Sequence, residues 1–192
     1  EAVAGSQGIE VRMEIASSRF AALRERRRNL AGRTGCGLCG VESLDALARP
    51  VAAVSPQAAI PASAVVSGLA ELPAWQRLRE TTGAVHAAAW VSRDGHILAL
   101  REDVGRHNAL DKLIGAVIKA KIDPAQGFAV ITSRCSVEMV QKAVIAGFPI
   151  LVSVSAPTAM AARLADEAGI TLLALARRDS TLSVTHPHRI LL

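Results

Sequence analysis

FAVITSRCSVEMVQKAVIAGFPILVSVSAPTAMAARLADEAGITLLAL, residues 128–175, decides the fold. Phe128 to Thr132 is an apolar run of strand length. Val137, Val140 and Val144 then recur at helical spacing, and Ile150 to Val154 is a second buried strand. Pro157 opens a helix running to Glu167, Gly169 ends it, and Ile170 to Leu175 is the last clear strand. Strands that are apolar throughout, joined by helices, predict a largely parallel sheet covered on both faces.

Moving upstream, Leu110, Leu113, Ile114, Val117 and Ile118 follow helical spacing. Ala84 to Ser92 and His96 to Glu102 form an expected hairpin around Asp94-Gly95. Residues 49–83 are rich in Pro, Ala and Ser. They read as a linker with a short helix near Ala62 to Ala70 and another after Pro73, at the first-turn position proline favours. Before it, Ile9 to Ile15 alternates like a strand, as if a partner strand preceded it. Ser17 and Ser18 can cap a basic helix, Arg19 to Leu30, and Gly32 to Gly40 is a glycine-rich loop. The expected organisation is an N-terminal part over 1–48, the linker over 49–83 and an α/β core over 84–192.

Composition limits the function classes. The 192 residues are 51% hydrophobic and 20% charged, a globular balance. Aromatics make up only 3%, so stacking platforms for single-stranded nucleic acid are excluded. No apolar run approaches the roughly 18 residues of a membrane helix, and the N-terminus has no signal-peptide pattern. The net charge of +5 favours anionic partners. Three cysteines, two of them in one CxxC, point to a reducing cytoplasm and functional thiols.

Cys36 and Cys39 form that CxxC. Such a pair can be half of a zinc site, a dithiol redox couple, or a persulfide carrier whose second thiol releases the sulfur. Zinc needs about four ligands. There is no second CxxC, and only Cys135 and His107 remain to complete a site, so no metal is expected. Arg26, Arg27, Arg28 and Arg33 precede the thiols, and positive charge lowers a thiol pKa.

The other chemistry lies at strand-to-helix junctions. In REDVGRHNALD, Asp103 is placed to cap a helix, and Arg106, His107 and Asn108 fall in its first turn. Free N–H groups there favour an anion, and the helix dipole favours a neutral imidazole. Ser133, Arg134 and Ser136 in TSRCS, and Ser155 and Thr158 in SVSAPT, repeat the geometry. Plain helix capping accounts for each junction singly. Together they line the carboxyl edge of a parallel sheet, where ligands bind. Arg177 and Arg178, after the last strand, suit a phosphate. His186 and His188 read as a tail turn.

The segments TGCGLCGVESL, EDVGRHNALDKLIG, TSRCSVEMVQKA, VSAPT and THPHRI together resemble the formate dehydrogenase accessory sulfurtransferase family, FdhD, over nearly the whole chain. The resemblance implies a three-layer α/β/α sandwich with a cytidine-deaminase-like mixed sheet, and a homodimer. It implies a sulfur carrier that takes persulfide sulfur from a cysteine desulfurase on Cys36, with Cys39 assisting. The sulfur passes to the molybdenum cofactor, bis(molybdopterin guanine dinucleotide), before that cofactor enters the catalytic subunit of formate dehydrogenase. A GDP-like nucleotide can stand in for the cofactor, and the expected contacts are the junction residues above with Arg177 and Arg178. The family normally has more chain before Ile9. It also carries a Gly-Arg pair and an aromatic residue before THP, where this chain reads LARRDSTLSVTHP.

Two other readings compete with this one. In one, the protein is a guanine-nucleotide- or cofactor-binding chaperone whose CxxC is only redox-sensitive. A zinc deaminase needs HxE and PCxxC; no His here has Glu two positions on, and Gly35 precedes Cys36.

Overall fold

The computed structural model describes residues 1–5, 8–24 and 59–192. The chain divides into two compact units, Glu1–Arg49 and Pro50–Leu192. In the first, β1 (Ala2–Gly5) and β2 (Gly8–Val11) pair antiparallel, with Ala2 opposite Val11. The strand expected over Ile9–Ile15 is thus shorter, and its partner is β1. Helix α1 (Ser17–Arg24) starts earlier than expected. Arg19 and Phe20 both donate their N–H to Ala16 O, so Ser17 and Ser18 lie inside the helix. The glycine-rich stretch with Cys36 and Cys39 lies outside the described residues.

In the second unit the elements are β3 (Ile60–Pro61), α2 (Ala62–Trp75), α3 (Arg77–Thr82), β4 (His86–Ser92), β5 (Ile97–Asp103), α4 (Arg106–Lys119), β6 (Gly127–Ile131), α5 (Val137–Ile145), β7 (Ile150–Ser153), α6 (Ala159–Glu167), β8 (Thr171–Ala174), β9 (Leu182–Ser183) and β10 (Ile190–Leu191). Six strands form one sheet in the order β5-β4-β6-β7-β8-β9. The sheet is mixed rather than largely parallel. Only β6-β7 and β7-β8 are parallel; β4 runs antiparallel to β5 and β6, and β9 to β8. The cause is connectivity. A tight hairpin forces antiparallel neighbours, and only β6, β7 and β8 are linked by helical crossovers to a neighbour.

Alternation within the strands assigns the two faces. Ala88, Trp90, Ala129, Ile131, Leu151 and Leu172 pack with α4, α5 and α6. Ala87, Ala89, Val91, Phe128, Val130 and Val152 pack with α2. This is a three-layer α/β/α sandwich. Fully buried Leu110 and Leu113 of α4 each stabilise it by about 1.5–3 kcal/mol. The largest buried side chain, Trp90, stacks on Phe148 with ring centroids 4.6 Å apart.

Helix α2 differs most from expectation. It runs to Trp75 rather than ending near Ala70, and buries Ala64, Val65, Gly68, Leu69 and Leu72. Pro73 does not open the next helix; it sits in the last turn of α2. There its missing N–H removes only one bond, to Leu69. Gln76 N donates to Pro73 O, the chain turns, and α3 begins at Arg77. Thr158, not Pro157, heads α6.

The β4–β5 turn is fixed by Gly95, whose φ is +92°. A Cβ there would lie 2.8 Å from the Ala64 carbonyl oxygen of α2. Gly83 also has positive φ, +66°, but faces open space. Gly95→Ala should therefore cost about 2–3 kcal/mol and Gly83→Ala only about 1 kcal/mol, read as shifts in urea midpoint.

Candidate functional site

Three loops leave the carboxyl ends of β6, β7 and β8, and cross-bonds stitch them side by side. Val154 N donates to Ile131 O, and Ala176 N to Ser153 O. The fully buried Ser153 places its Oγ 3.0 Å from Ser133 O and 2.9 Å from Ser155 O. Cys135 N donates to Ala156 O and Thr158 N to Cys135 O, a bridge that continues the parallel pairing beyond the strands. Arg177 reaches across with Nη1 to Val154 O at 2.5 Å.

At the head of α4 the N-cap is Gly105, not Asp103. Asp103 ends β5 and organises the turn from outside. Its Oδ1 accepts from Gly105 N at 2.9 Å and from Asn108 Nδ2 at 3.2 Å, and its Oδ2 pairs with Lys112. The Lys112 hydrogen bond, then the Gly105 N–H, hold its carboxyl below the ordinary range. His107 is half-buried, and its Nε2 lies 3.3 Å from Glu138 Oε2 on α5. One turn on, Asp111 pairs with Lys142, so an ion pair and the His107–Glu138 contact join α4 to α5.

Among the other expected residues, Ser133 and Ser136 are buried and Arg134 is exposed. Ser136 is the N-cap of α5, and its buried Oγ has no hydrogen-bond partner. Thr158 Oγ1 accepts from Ala161 N, so this hydroxyl is engaged in capping α6. Cys135 is fully buried, and burial pushes its thiol up to about 12. His186 and His188 flank Pro187 at the tail turn.

A cavity of about 360 Å³ opens at the same carboxyl edge, on the α2 side of the sheet. Thr132, Val154 and Ala176 line it just beyond β6, β7 and β8, and Leu69, Leu72 and Gln76 line it from α2 and its end. Arg79, Arg177 and Arg178 supply positive charge, and His86 enters from the start of β4. Burial holds the His86 imidazole below the ordinary histidine range, and the Arg106 charge pushes it the same way. The cavity thus offers cations beside a neutral imidazole, which suits an anionic ligand carrying an uncharged polar part.

Of the residues expected to hold cofactor, only Arg177 and Arg178 line this cavity; Arg106 acts on it through its own charge, which helps to keep His86 neutral. Arg177 and Arg178 also line a second cavity of about 450 Å³, toward Ala62, Val65, Ser180 and Ile190. His107, Asn108, Ser136 and Thr158 belong to the helix N-termini of the opposite layer. Sequence reading missed Gln76, Arg79 and His86. The one signal for His86 was a polar residue opening an apolar strand.

Comparison with known proteins gives a match to the FdhD/NarQ family over residues 3–191. The chain belongs to that family. A relative from Variovorax paradoxus (strain S110), named sulfur carrier protein FdhD, is 49% identical over 184 residues, covering 96% of this chain and 66% of the relative. One of the same name from Bordetella bronchiseptica is 52% identical over 183 residues, covering 95% and 66%. The chain thus spans just under two thirds of the length of these curated relatives. A crystal structure described as a formate dehydrogenase accessory protein from Desulfotalea psychrophila superimposes with a TM-score of 0.69 at 28% identity. It covers 78% of this chain and 63% of that one. The FdhD/NarQ match extends across both units. No helix among the described residues is long and apolar enough to cross a membrane.

Three measurements check this site. Cys135 should resist alkylation at pH 8 in the native protein and react after unfolding, by peptide mapping. The depressed His86 pKa means the unfolded chain binds more protons between that value and about 6.5. Its contribution to stability is therefore present above about pH 6.5 and is lost as pH falls through the folded pKa. Wild type should lose more stability than His86→Asn between pH 7 and pH 5, and Arg106→Ala should raise the His86 pKa in an NMR titration.

Proposed function

We propose that this chain carries sulfur for the maturation of formate dehydrogenase. It takes sulfur from a cysteine desulfurase and delivers it to a molybdenum cofactor bearing guanine dinucleotides, working in the cytoplasm as a homodimer. The observation that carries this reading is that relatives about half identical over nearly the whole chain are named sulfur carriers. The arginine-flanked cavity at the carboxyl edge supports it, because an anionic nucleotide is the kind of ligand such a cavity takes.

The chemistry balances without an outside oxidant. Cys36 thiolate attacks the outer sulfur of the desulfurase persulfide, whose S–S bond breaks. The desulfurase cysteine leaves as thiolate, and Cys36 now bears the persulfide. Attack of Cys39 thiolate on the inner sulfur, at Cys36, forms the Cys36–Cys39 disulfide and expels hydrosulfide toward the metal. The two thiols supply the two electrons that reduce the transferred sulfur. A cellular dithiol then reduces the disulfide and resets the pair. Arginines 26, 27, 28 and 33 favour the thiolate form through their charge.

Incubation with a cysteine desulfurase and cysteine should add one sulfur atom to the peptide carrying Cys36 and Cys39, removable by dithiothreitol and seen by mass spectrometry. Cys36→Ala should abolish the addition while leaving GDP binding intact. A folded, reduced chain that gains no sulfur would instead be a cofactor-binding chaperone with a redox-sensitive CxxC.

A further inference from the structure

Glu102 and Asp103 are consecutive residues of β5, so their side chains leave opposite faces of the sheet. Asp103 serves the head of α4. Glu102 serves the other layer. Helix α3 is six residues long, and none of them is buried. A helix that short is marginal by itself, and no apolar face anchors this one to the sheet. Its first-turn N–H groups have no partner within the helix, and its N-cap residue, Gln76, makes no side-chain cap bond. The Glu102 carboxylate supplies the cap from the sheet. Its Oε2 accepts from Leu78 N at 2.8 Å and its Oε1 from Arg79 N at 2.9 Å. Both oxygens of one carboxylate are thus engaged by adjacent amides, which ties α3 to β5.

The residue held most closely by this cap is Arg79. Glu102 fixes its N–H, its carbonyl accepts from Gly83 N at 2.7 Å, and its Nη1 lies 3.2 Å from Gln76 Oε1. An exposed arginine ordinarily samples many rotamers, and ordering it opposes binding when it grips an anion. Arg79 is exposed yet tied at three points, so part of that ordering precedes any ligand.

The cavity at the carboxyl edge takes its cations from two separate pieces of structure. Arg177 and Arg178 come from the loop after β8, and Arg79 comes from α3. The loop is held by backbone bonds that continue the sheet, such as Ala176 N to Ser153 O. Helix α3 has no strand pairing and no buried side chain, so its place beside the cavity depends on Glu102.

We propose that Glu102 is a positioning residue for anion capture: by capping α3 from β5 it holds Arg79 where the guanidinium meets a phosphate. The inference rests on the reading of this cavity as a nucleotide site and adds to it a residue that touches no ligand. The sign of its effect sets it apart from a charge effect. A carboxylate beside a cationic cavity, acting by charge alone, repels a phosphate, so its removal would tighten binding. Acting through Arg79, its removal weakens binding.

Calorimetric titration of the 192-residue chain with GDP tests it. Glu102→Gln keeps the shape and one acceptor oxygen and should weaken GDP about threefold; Glu102→Ala should weaken it about tenfold, as should Arg79→Ala. In the Arg79→Ala background, Glu102→Ala should cause no further loss, the non-additivity expected when one residue acts through another. A general loss of structure would instead add to the Arg79→Ala effect. Backbone amide resonances of β6 and β7 should keep their positions in every variant, because α3 places no side chain in the core. A second readout needs no ligand: nitrogen relaxation at Arg79 Nε should show a more mobile side chain in Glu102→Ala than in wild type. If Glu102→Ala binds GDP as tightly as wild type or tighter, or weakens it equally with and without Arg79, or leaves Arg79 as ordered as before, the inference is overturned and the nucleotide reading stands. If wild type binds no GDP, the nucleotide reading falls and the inference falls with it.

Discussion

Backbone amides in strands covered on both faces have no water to bond, so the central strands must pair with one another along their whole length. β4, β6 and β7 meet this constraint with almost no exposed surface. The requirement does not end with the strands. Beyond their carboxyl ends the amides of Val154 and Ala176 are still paired to the last carbonyls of β6 and β7, and that of Cys135 to Ala156 O in the loop after β7. The loops are consequently held in register by the same bonds that hold the sheet. A fixed rim beneath a helical layer is what makes a cavity there, and the arginines after β8 inherit their placement from it.

The two helical layers contribute differently. On one face, α4, α5 and α6 present N-termini whose polar residues serve local order: Thr158 caps, Asp103 braces a turn, and His107 and Asp111 tie α4 to α5. On the other, α2 lies close to the sheet because it is built from small residues. A Cβ on Gly68 would come 2.9 Å from Val91 Cγ1. The bend after Pro73 then carries Gln76 and Arg79 to the cavity, with Glu102 as the tether. The cavity-lining polar residues thus gather on the α2 side.

This division explains what could be read from the sequence. The β6-α5-β7-α6-β8 order was legible because continuous apolar runs alternate with helical periodicity, and Asp94-Gly95 marked the hairpin. The antiparallel flanks were less so, since strand direction follows from loop length and pairing rather than from any one segment. Helix α2 was under-read: its Ala, Ser and Pro content looks like a linker, and the small residues that pack it against the sheet carry no strong hydrophobic signal. At the site, Arg177 and Arg178 were legible as an anion-favouring pair. Gln76, Arg79 and His86 were not, because they meet Thr132 and Ala176 only through tertiary contact across long stretches of chain. The Cys36–Cys39 motif was plain in the sequence and lies outside the described residues.

The central claim is that the anionic acceptor sits in the cavity on the α2 side of the carboxyl edge. An NMR footprint of GDP on the isotopically labelled chain tests it most directly. The account predicts that shifts concentrate at His86, Thr132, Ala176 and Arg177. Shifts confined to His107, Ser136 and Thr158, at the helix N-termini of the opposite layer, would contradict it.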